Sequence, residues 1–557
     1  MRLRHRNLHW HLLLLCIAAP ALMTLGSVFA SFWMGDADTM AHLREHVLPR
    51  ALFNSLLLVL CVALLAGTLG VVLAWLTVAC EFPLRRFFAW ALFLPMAMPG
   101  YVMAFAFVGL FEHSGSVHNS LRAQWPGLDN WPNVFAFPSV VLVLSLVLYP
   151  YVYLLARSAF QTQAQRSLEV GQSLGLSPQQ SFFRVALPMA RPWIAGGVLL
   201  VAMETLADFG TVSVFNYDTM TTAVYKAWFS LFSLPAALRI AAVLLVFVLL
   251  LVVFERYTRR MRRYADNRSA PAHIQRQRLA PLRQSLALLL CTLVLLLAFI
   301  LPAGQLLAWA IPKLSNELTT RFWSALLGTL TLAMLATSIV TSLALLLAFV
   351  GRMHPGPGVA VLVRLCTMGY ALPGTVLAVG IFVPLAWLAQ WLSANGVASG
   401  WLQGGLLVMM LGYSVRFMAV AFAPLETNLL RVTPSIDLAA LSLGASGMQM
   451  LRRVHLPMMR SGLFTALVLV FVDVMKELPI TLMTRPFGFN TLAVRIFEFT
   501  SEGMWERASL PALAIVVAGL LPVFLLVRSS NPLRKRASHV RAQSGNAPRA
   551  ALVYSDG

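Results

Sequence analysis

Two pairs of acidic residues lie within apolar segments, at matching positions in the two parts of the chain. Glu204 and Asp208 are four positions apart, and so are Asp473 and Glu477. In a helix this spacing places both carboxylates on one face. Charged side chains in a membrane helix usually face the bundle interior or a water-filled path, and hard cations prefer carboxylate oxygens. The four acids are therefore candidates for lining a translocation path.

Other roles stay open for these acids on the sequence alone. Lys476 and Arg485 could neutralise the second pair. The acids could instead cap broken helix ends near Gly210 and Pro479, contribute to gating or packing, or meet solvent at helix ends. Arg416, inside an apolar segment, needs an acidic partner or water.

The composition indicates an integral membrane protein. Of 557 residues, 59% are apolar and 11% charged, with a mean hydropathy of +0.76, whereas soluble domains are about 25% charged. A spanning helix needs roughly 20 mostly apolar residues, and we predict an all-α polytopic fold with about twelve such helices. The predicted spans are 10–32, 51–79, 87–111, 135–157, 191–215, 236–256, 285–311, 323–350, 365–391, 402–424, 461–482 and 508–528.

Positive charge lies mainly on one side of this topology. The formal net charge is +21, and its densest block, nine arginines from Arg256 to Arg283, joins the two halves. Lys and Arg are enriched in cytoplasmic segments of membrane proteins. We therefore expect a multi-pass protein in the lipid bilayer of the bacterial inner membrane, with both termini cytoplasmic. Because membrane orientation accounts for most of this positive charge, we expect no nucleic-acid partner.

Cysteine and histidine spacing assigns no metal ligand. The five cysteines lie in or near apolar segments without close pairing, so we predict neither a disulfide framework nor a Cys metal site. His42 and His46 are four apart in the first predicted outer loop, and His113 and His118 lie in the second. These pairs could form a transition-metal site, but exposed loop histidines without a metal are commoner.

The chain contains one unit twice. Asn54-Ser-Leu matches Gly328-Thr-Leu, and Pro99-Gly-Tyr-Val matches Pro373-Gly-Thr-Val, both at an offset of 274. Later positions match at an offset of 269. An even number of helices per unit gives both units the same orientation, as in other parallel-repeat transporters. We divide the chain into an N-terminal helix and outer loop (1–50), repeat 1 (51–256), a basic cytoplasmic linker (257–284), the first helix of the second half (285–322), repeat 2 (323–528) and a basic, disordered cytoplasmic tail (529–557).

A loop predicted to face the cytoplasm, 166–190, has a characteristic order of signals. Glu169 begins a short helical segment that Gly175 ends, because glycine readily adopts the left-handed conformation after a helix. Ser177 then offers an N-cap, with Gln180 three residues later. The loop is therefore expected to form a helix, a glycine turn and a second helix before Leu-Pro directs the chain back into the membrane.

The second loop, 435–459, repeats this order with Gly444 as the stop and Ser446 to Gln449 as the capping segment. The second short helix of each loop mixes apolar and basic residues, such as Phe183 and Arg184 in the first. Such a face suits an acidic, partly apolar groove on a partner. Amphipathic helices on the lipid surface are the alternative, but they need no repeated glycine and capping pattern.

These loops resemble the signature of permease subunits of ATP-binding-cassette importers. The pattern is Glu-Ala-Ala, three residues, Gly, nine residues, an aliphatic residue, any residue and Leu-Pro. The matching positions are Glu169, Gly171, Gly175, Leu187 and Pro188 in the first loop, and Leu438, Ala439, Ala440, Gly444, Leu456 and Pro457 in the second. The resemblance implies a type I, MetI-like permease whose loops form coupling helices in a cleft of the ATPase subunit.

Both copies depart from this pattern. Val170 and Gly171 replace the two alanines in the first loop, and Leu438 replaces the glutamate in the second, with Asp437 one place earlier. The order of helix, turn and helix survives both changes. The two docking sites are therefore expected to be similar but not equivalent.

We expect the motor and the substrate-capturing domain to be separate proteins. A phosphate-binding loop needs Gly-Lys-Ser/Thr, and none of the four lysines, Lys226, Lys313, Lys476 and Lys535, follows a glycine. The outer loops are too short to bury a core. The chain is thus expected to be no enzyme and to bind no cofactor, with ATP used by two copies of an ATPase subunit and substrate delivered by a periplasmic binding protein.

The stretch from Glu477-Leu-Pro-Ile-Thr to Asn490-Thr-Leu-Ala, followed by Glu502-Gly503, resembles ferric-iron importer permeases, as do the fused architecture and the length. The resemblance implies import of Fe(III) by alternating access. Permeases for thiamine and for phosphonates are the alternatives within the class. A twelve-helix secondary transporter is an alternative of another class. A membrane enzyme is disfavoured because no nucleophile and base have active-site spacing.

Overall fold

The chain folds as a bundle of long helices. This computed structural model describes residues 8–33, 45, 47–113, 115–125, 133–162, 175–265, 276–403, 405–445 and 447–529. Within these ranges, ten helices are long and apolar enough to cross a membrane, or twelve when two bent pairs each count as one span. The predicted all-α polytopic fold is confirmed.

The first half begins with α1 (Leu8–Ala30), which precedes the repeated unit. Pro49 lies in the first turn of α2, where the missing proline N–H leaves no hydrogen bond unmade. A 3-10 turn, Leu94–Ala97, separates α3 from α4, and a π-helical turn, Phe182–Ala186, joins α7 to α8. The repeated unit contains α2 (Leu48–Ala79), α3 (Arg85–Ala91), α4 (Gly100–Phe111), α5 (Ser116–Gln124), α6 (Phe137–Thr162), α7 (Pro178–Ser181), α8 (Leu187–Ala207), α9 (Gly210–Val214), α10 (Met220–Phe229) and α11 (Leu234–Ala265).

The second half has the same order of long and short helices. Two π-helical turns, Leu296–Ile300 and Leu451–His455, and one 3-10 turn, Met368–Ala371, interrupt it. Its helices are α12 (Pro281–Leu295), α13 (Leu301–Glu317), α14 (Thr320–Met353), α15 (Pro357–Thr367), α16 (Gly374–Ala394), α17 (Gly400–Gln403), α18 (Leu406–Leu429), α19 (Pro434–Ser442), α20 (Gly447–Met450), α21 (Leu456–Met458), α22 (Arg460–Lys476), α23 (Pro479–Thr484), α24 (Leu492–Ser501) and α25 (Trp505–Ser529).

A pair of matching hydrogen bonds shows the duplication in three dimensions. The Ser55 hydroxyl of α2 accepts a bond from the Met220 N–H at 2.9 Å. Thr329 of α14 accepts one from the Leu492 N–H at 2.8 Å. In each half, therefore, a hydroxyl of the first repeated helix holds the start of a short later helix, α10 or α24.

Two predicted spans, 87–111 and 365–391, are not single straight helices. The segment Arg85–Ala97 meets α4 at 94°, and the 3-10 turn after α15 ends before α16 begins. Pro99 and Pro373 precede α4 and α16 with extended backbone angles. Proline lacks the N–H that would continue the preceding helix, so each span breaks at this position.

The first and last helices of each half pack against the other half. Helices α1 and α11 both contact α16, and α1 also contacts α15. In return, α13 and α25 contact each other and α4. One hydrophobic core accordingly combines Leu14 with Val379, and the other combines Val102 with Cys291 and Ala512. Neither core is made by one half alone.

A two-residue parallel pairing joins the segment between the halves to the end of α2. β1 (Cys80–Glu81) pairs with β2 (Gln277–Arg278). Of the predicted linker 257–284, the first part continues α11, and residues 266–275 lie outside the described ranges. The sequence contained no signal for this pairing, because two residues are too few for a periodic pattern.

Candidate functional site

A cavity of about 400 Å³ lies between the two halves. The structure brings the four predicted acids together in its wall: Glu204, Asp208, Asp473 and Glu477. Residues from α4, α6, α18 and α25 also line it. The acids therefore share one space that both halves enclose.

The acids of each pair do not share a helical face, contrary to the prediction. α8 ends at Ala207 and α22 at Lys476, and the residues that follow, Asp208 and Glu477, have extended backbone angles. The predicted spans 191–215 and 461–482 are therefore broken helices. Of the four acids, Glu204 and Asp473 lie within the long helices.

The broken ends have a physical cause in the two carboxylates. Asp208 accepts hydrogen bonds from the Val212 N–H at 3.1 Å and from the Thr211 hydroxyl at 2.8 Å. Glu477 accepts them from the Ile480 N–H at 2.8 Å and from the Thr481 N–H at 3.0 Å. The first N–H groups of a helix have no partner within it. Each carboxylate therefore caps the next short helix, α9 or α23, which is one of the alternatives left open by the sequence.

Each capped break lies against the glycine that begins another helix of the same half. A Cβ atom at Gly100 would lie 3.5 Å from Asp208 Oδ2, and one at Gly374 would lie 3.0 Å from Glu477 Oε1. Helix N-termini carry partial positive charge. Asp208 is thus close to the N-termini of α4 and α9, and Glu477 to those of α16 and α23.

Two basic side chains also line the cavity, Lys476 and Arg416. Lys476 Nζ donates to the Met96 carbonyl of the other half at 3.1 Å, and Arg416 donates to the Leu372 carbonyl at 2.9 Å. Arg485 does not neutralise the second pair of acids, because it forms an ion pair with Glu498 at 2.8 Å. The wall accordingly holds four acids and two bases.

Three tyrosines of the wall, Tyr101, Tyr151 and Tyr370, were not among the predicted residues. Tyr151 of α6 and Tyr370 of the second half lie within electrostatic range of both Glu204 and Asp473. Phenol hydroxyls can donate hydrogen bonds to carboxylates. The only sequence signal for Tyr151 is its position beside Pro150 within an apolar span, which does not distinguish it from a packed aromatic residue.

No metal-binding cluster occurs in the part of the chain that the structure describes. No group of three or more His, Cys, Asp or Glu side chains there could hold a metal ion. His113 and His118 have ring centroids 5.4 Å apart. His42 and His46 lie outside the described residues.

The described part of the first loop has the expected local geometry. Gly175 has a φ of +80°, the left-handed conformation. The Ser177 hydroxyl accepts from the Gln180 N–H at 3.3 Å, and the Gln180 side chain accepts from the Ser177 N–H at 3.0 Å. These reciprocal bonds form a capping box. Glu169 and Gly171 lie outside the described residues.

In the second loop, α19 precedes Gly444, which also has a φ of +80°. Leu438 is 66% exposed and Ala440 is buried, while Ala439 is exposed. Ser446 lies outside the described residues. The loop therefore presents apolar side chains at its surface, as a docking helix would.

Asp437, beside Leu438, faces the protein instead. It forms an ion pair with Arg352 at 2.7 Å and contacts His455 Nε2 at 2.8 Å. Burial raises the pKa of this carboxyl, but the hydrogen bonds from His455 and Arg352 outweigh burial and hold the pKa of Asp437 below its ordinary value. Arg352 and His455 had no recognisable sequence signal, because they lie 85 and 18 residues from Asp437.

The Leu-Pro pairs begin helices and do not themselves turn the chain. Leu187 and Pro188 start α8 directly after a π-helical turn, and the helix passes through them. Leu456 and Pro457 lie in α21, and the 81° bend of the second half follows after Met458. Proline is favoured in a first helical turn because its missing N–H has no acceptor there. The predicted turn at Leu-Pro is therefore wrong in the first half and displaced in the second.

Comparison with known proteins agrees with this architecture. Residues 66–263 match the family described as binding-protein-dependent transport system inner membrane component. The Fe(3+)-transport system permease protein FbpB 2 of Haemophilus influenzae is 27% identical over 85% of this chain and 89% of its own. The ferric transport system permease protein FbpB of Actinobacillus pleuropneumoniae is 22% identical over 81% of this chain and 67% of its own.

A relative named for a different substrate matches a shorter stretch. The putative 2-aminoethylphosphonate transport system permease protein PhnV of Salmonella typhimurium is 29% identical over 42% of this chain and 84% of its own. All these relatives are transport permeases, which are not enzymes. Residues 66–263 therefore belong to the inner membrane components of binding-protein-dependent transport systems, and the chain is similar over most of its length to ABC importer permeases.

Proposed function

We propose that this permease passes Fe(III) from a periplasmic binding protein to the cytoplasm by alternating access. The observation that carries the proposal is the acid-lined cavity between the halves, with four carboxylates against two basic groups. Hard cations prefer oxygen ligands, and acids inside a membrane protein commonly mark an ion pathway. Two similar permeases are named for ferric-iron transport, which supports the same substrate for this chain.

The four acids would have two different tasks on this path. Glu204 and Asp473, which lie within long helices beside Tyr151 and Tyr370, would contact the passing ion. Asp208 and Glu477 already accept bonds from backbone N–H groups, so they would hold the broken helices where the halves meet. Movement of these breaks would open and close the path.

The two loops would form the docking sites for the ATPase subunits. Gly175, Ser177, Leu187 and Pro188 belong to the first docking site, together with Glu169 and Gly171, and the matching residues of the second are Leu438, Ala439, Ala440, Gly444, Ser446, Leu456 and Pro457. Two copies of a separate ATPase subunit would bind there and hydrolyse ATP, with both termini of this chain in the cytoplasm. The chain itself would bind no cofactor.

A phosphonate is the second candidate substrate, because of the similarity to the PhnV permease. Phosphonates are anions, and a wall with more acids than bases repels an anion. The cavity therefore favours a cation.

Uptake of radiolabelled iron, 2-aminoethylphosphonate and thiamine by cells with and without the chain tests the proposal. We expect loss of iron uptake alone. Glu204→Gln and Asp473→Asn should each lower it by about tenfold, the effect of ~1.4 kcal/mol on the rate-limiting step, whereas Glu502→Gln, at an exposed position, should not. Unchanged iron uptake without the chain would rule out the substrate. Purification without any ATPase would instead favour a twelve-helix secondary transporter.

A further inference from the structure

A charged cluster in the second half joins the docking loop to two membrane helices. Both carboxylate oxygens of Asp437 are used: Oδ2 accepts from Arg352 Nε at 2.8 Å, and Oδ1 lies 2.8 Å from His455 Nε2. Arg352 belongs to the last turn of α14, and His455 to the π-helical turn before α21. Asp437 therefore connects both ends of the loop to a long helix.

Arg352 extends this cluster to a third element. Its Nη1 donates to the Leu429 carbonyl at 2.8 Å, and its Nη2 to the Val432 carbonyl at 2.6 Å, at the end of α18. The Arg352 and Asp437 side chains are only 16% and 15% exposed, and that of His455 is fully buried. Charge-assisted bonds shielded from water are stronger than those at a surface. One guanidinium group thus fixes α14, α18 and α19 relative to each other.

The described part of the first loop, from Gly175 onwards, has other contacts. Val78 and Ala186 stand at the positions that match Arg352 and His455, and neither can ionise. Near these positions, the ring centroids of Trp75 and Phe182 are 4.5 Å apart. Aromatic packing of this kind is less directional than a network of charged hydrogen bonds. Within the described residues, the two loops are consequently attached to the membrane helices by different chemistry.

We propose that Asp437 is a positioning residue that, through Arg352 and His455, makes the second docking loop move as one body with α14 and α18. The exposed apolar side chains of this loop, among them Leu443, are held in one orientation toward the ATPase. The first loop, which Trp75 and Phe182 hold, adapts more easily to its ATPase. This inference rests on the proposed docking function of the loops and adds a division of labour between them.

Hydrogen exchange of the purified full-length chain tests the positioning without any partner. In Asp437→Asn, the amides of α19 should exchange about tenfold faster, as expected for loss of a charge-assisted hydrogen bond, while those of Phe182–Ala186 keep their rate. Asp437→Glu should restore much of the protection. Ser442→Ala is the matched control, because its hydroxyl bonds only within α19. Unchanged exchange in Asp437→Asn, or equal acceleration in both loops, would overturn the proposal.

Cross-linking to the ATPase that co-purifies with the chain then tests the consequence for docking. The variants are Leu443→Cys in the second loop, where the side chain is 87% exposed, and Phe183→Cys in the first, where it is 66% exposed. Asp437→Asn should lower cross-linking from position 443 severalfold and leave position 183 unchanged, and fewer ions should be transported per ATP hydrolysed. An equal effect at both positions would overturn the proposal. Failure of the wild-type loops to cross-link would instead refute the docking function, while the exchange result would still decide the positioning.

Discussion

Asp208 and Glu477 occupy matching positions and accept hydrogen bonds from the matching N–H groups of Val212 and Thr481. Asp208 bonds to the N–H of Val212, four residues on. Glu477 bonds to the N–H groups of Ile480 and Thr481. Pro479 offers no N–H at the start of α23, and Glu477 accepts from the two N–H groups that follow it. Each carboxylate therefore caps its short helix at the same place, the N–H group four residues after the acid.

We expect Glu477→Ala to destabilise the protein by roughly 1–2 kcal/mol, because two helix N–H groups lose their cap in a buried place. Glu477→Gln, which keeps one acceptor oxygen, should lose less. Asp473→Ala is the comparison, since Asp473 lies inside α22 and does not cap a helix. Thermal unfolding in detergent measures the order, and equal stability of Glu477→Ala and wild type would contradict it.

The turns at Gly175 and Gly444 depend on backbone conformation alone. Each has a φ of +80°, and a Cβ atom at either position would meet nothing within 4 Å. Valine should therefore abolish transport through backbone strain, whereas asparagine, which tolerates this conformation, should retain most of it. Uptake assays with immunoblots of the membrane fraction separate transport from insertion. Normal uptake in both valine variants would contradict the proposed role of the turns.

At the level of helices, the sequence predicts where the spans lie but not where they break. Apolar runs mark α2, α6 and α14 within a few residues, because hydropathy depends on local composition. The breaks after Ala207 and Lys476 depend on partners distant in sequence, such as the N-terminus at Gly100. From spacing alone, two carboxylates four residues apart are predicted to share one helical face, because these distant neighbours are not visible in the sequence. The spacing of the acids was therefore informative, whereas its helical interpretation was wrong.

The crossing of α4 with the break before α9 requires glycine. A Cβ atom at Gly100 would lie 2.5 Å from Thr211 Oγ1, and one at Gly374 would lie 2.7 Å from Pro479 Cγ. Gly100→Val and Gly374→Val should each separate the paired helices and lower iron uptake by tenfold or more, about 1.4 kcal/mol in activation free energy. Gly304→Val in α13, where a Cβ meets nothing within 4 Å, is the control. Equal uptake in all three variants would contradict the crossing.

For the whole molecule, the duplication, the membrane location and the order of signals in the loops could be predicted from sequence. The duplication is visible in a single sequence because matching residues, such as Pro99 and Pro373, recur at a constant offset. The exchange of terminal helices between the halves could not be predicted, since hydropathy does not say which helices are neighbours. The same holds for the contact between Arg352 and Asp437, which forms only when α14 and α19 meet.

We expect neither half to be stable alone. A chain split within residues 266–275, between α11 and β2, separates α1 and α11 from α16, and α13 and α25 from α4. Each half by itself should be degraded in the membrane, whereas the two co-expressed halves should assemble and restore uptake. Immunoblots and uptake assays measure both results. Stable accumulation of the first half without the second would contradict the shared cores.

The exchanged helices also set an order in biosynthesis. Core residues of the first half such as Val102 pack in one cluster with Ala512 and Ile515, which the ribosome makes hundreds of residues later. The first half must therefore remain incompletely packed in the bilayer, with part of its core exposed to lipid, until α25 has been synthesised. A stop codon shortly before α25 would then leave the packing of both halves incomplete. The truncated chain should be degraded as a whole, and no stable first half should remain.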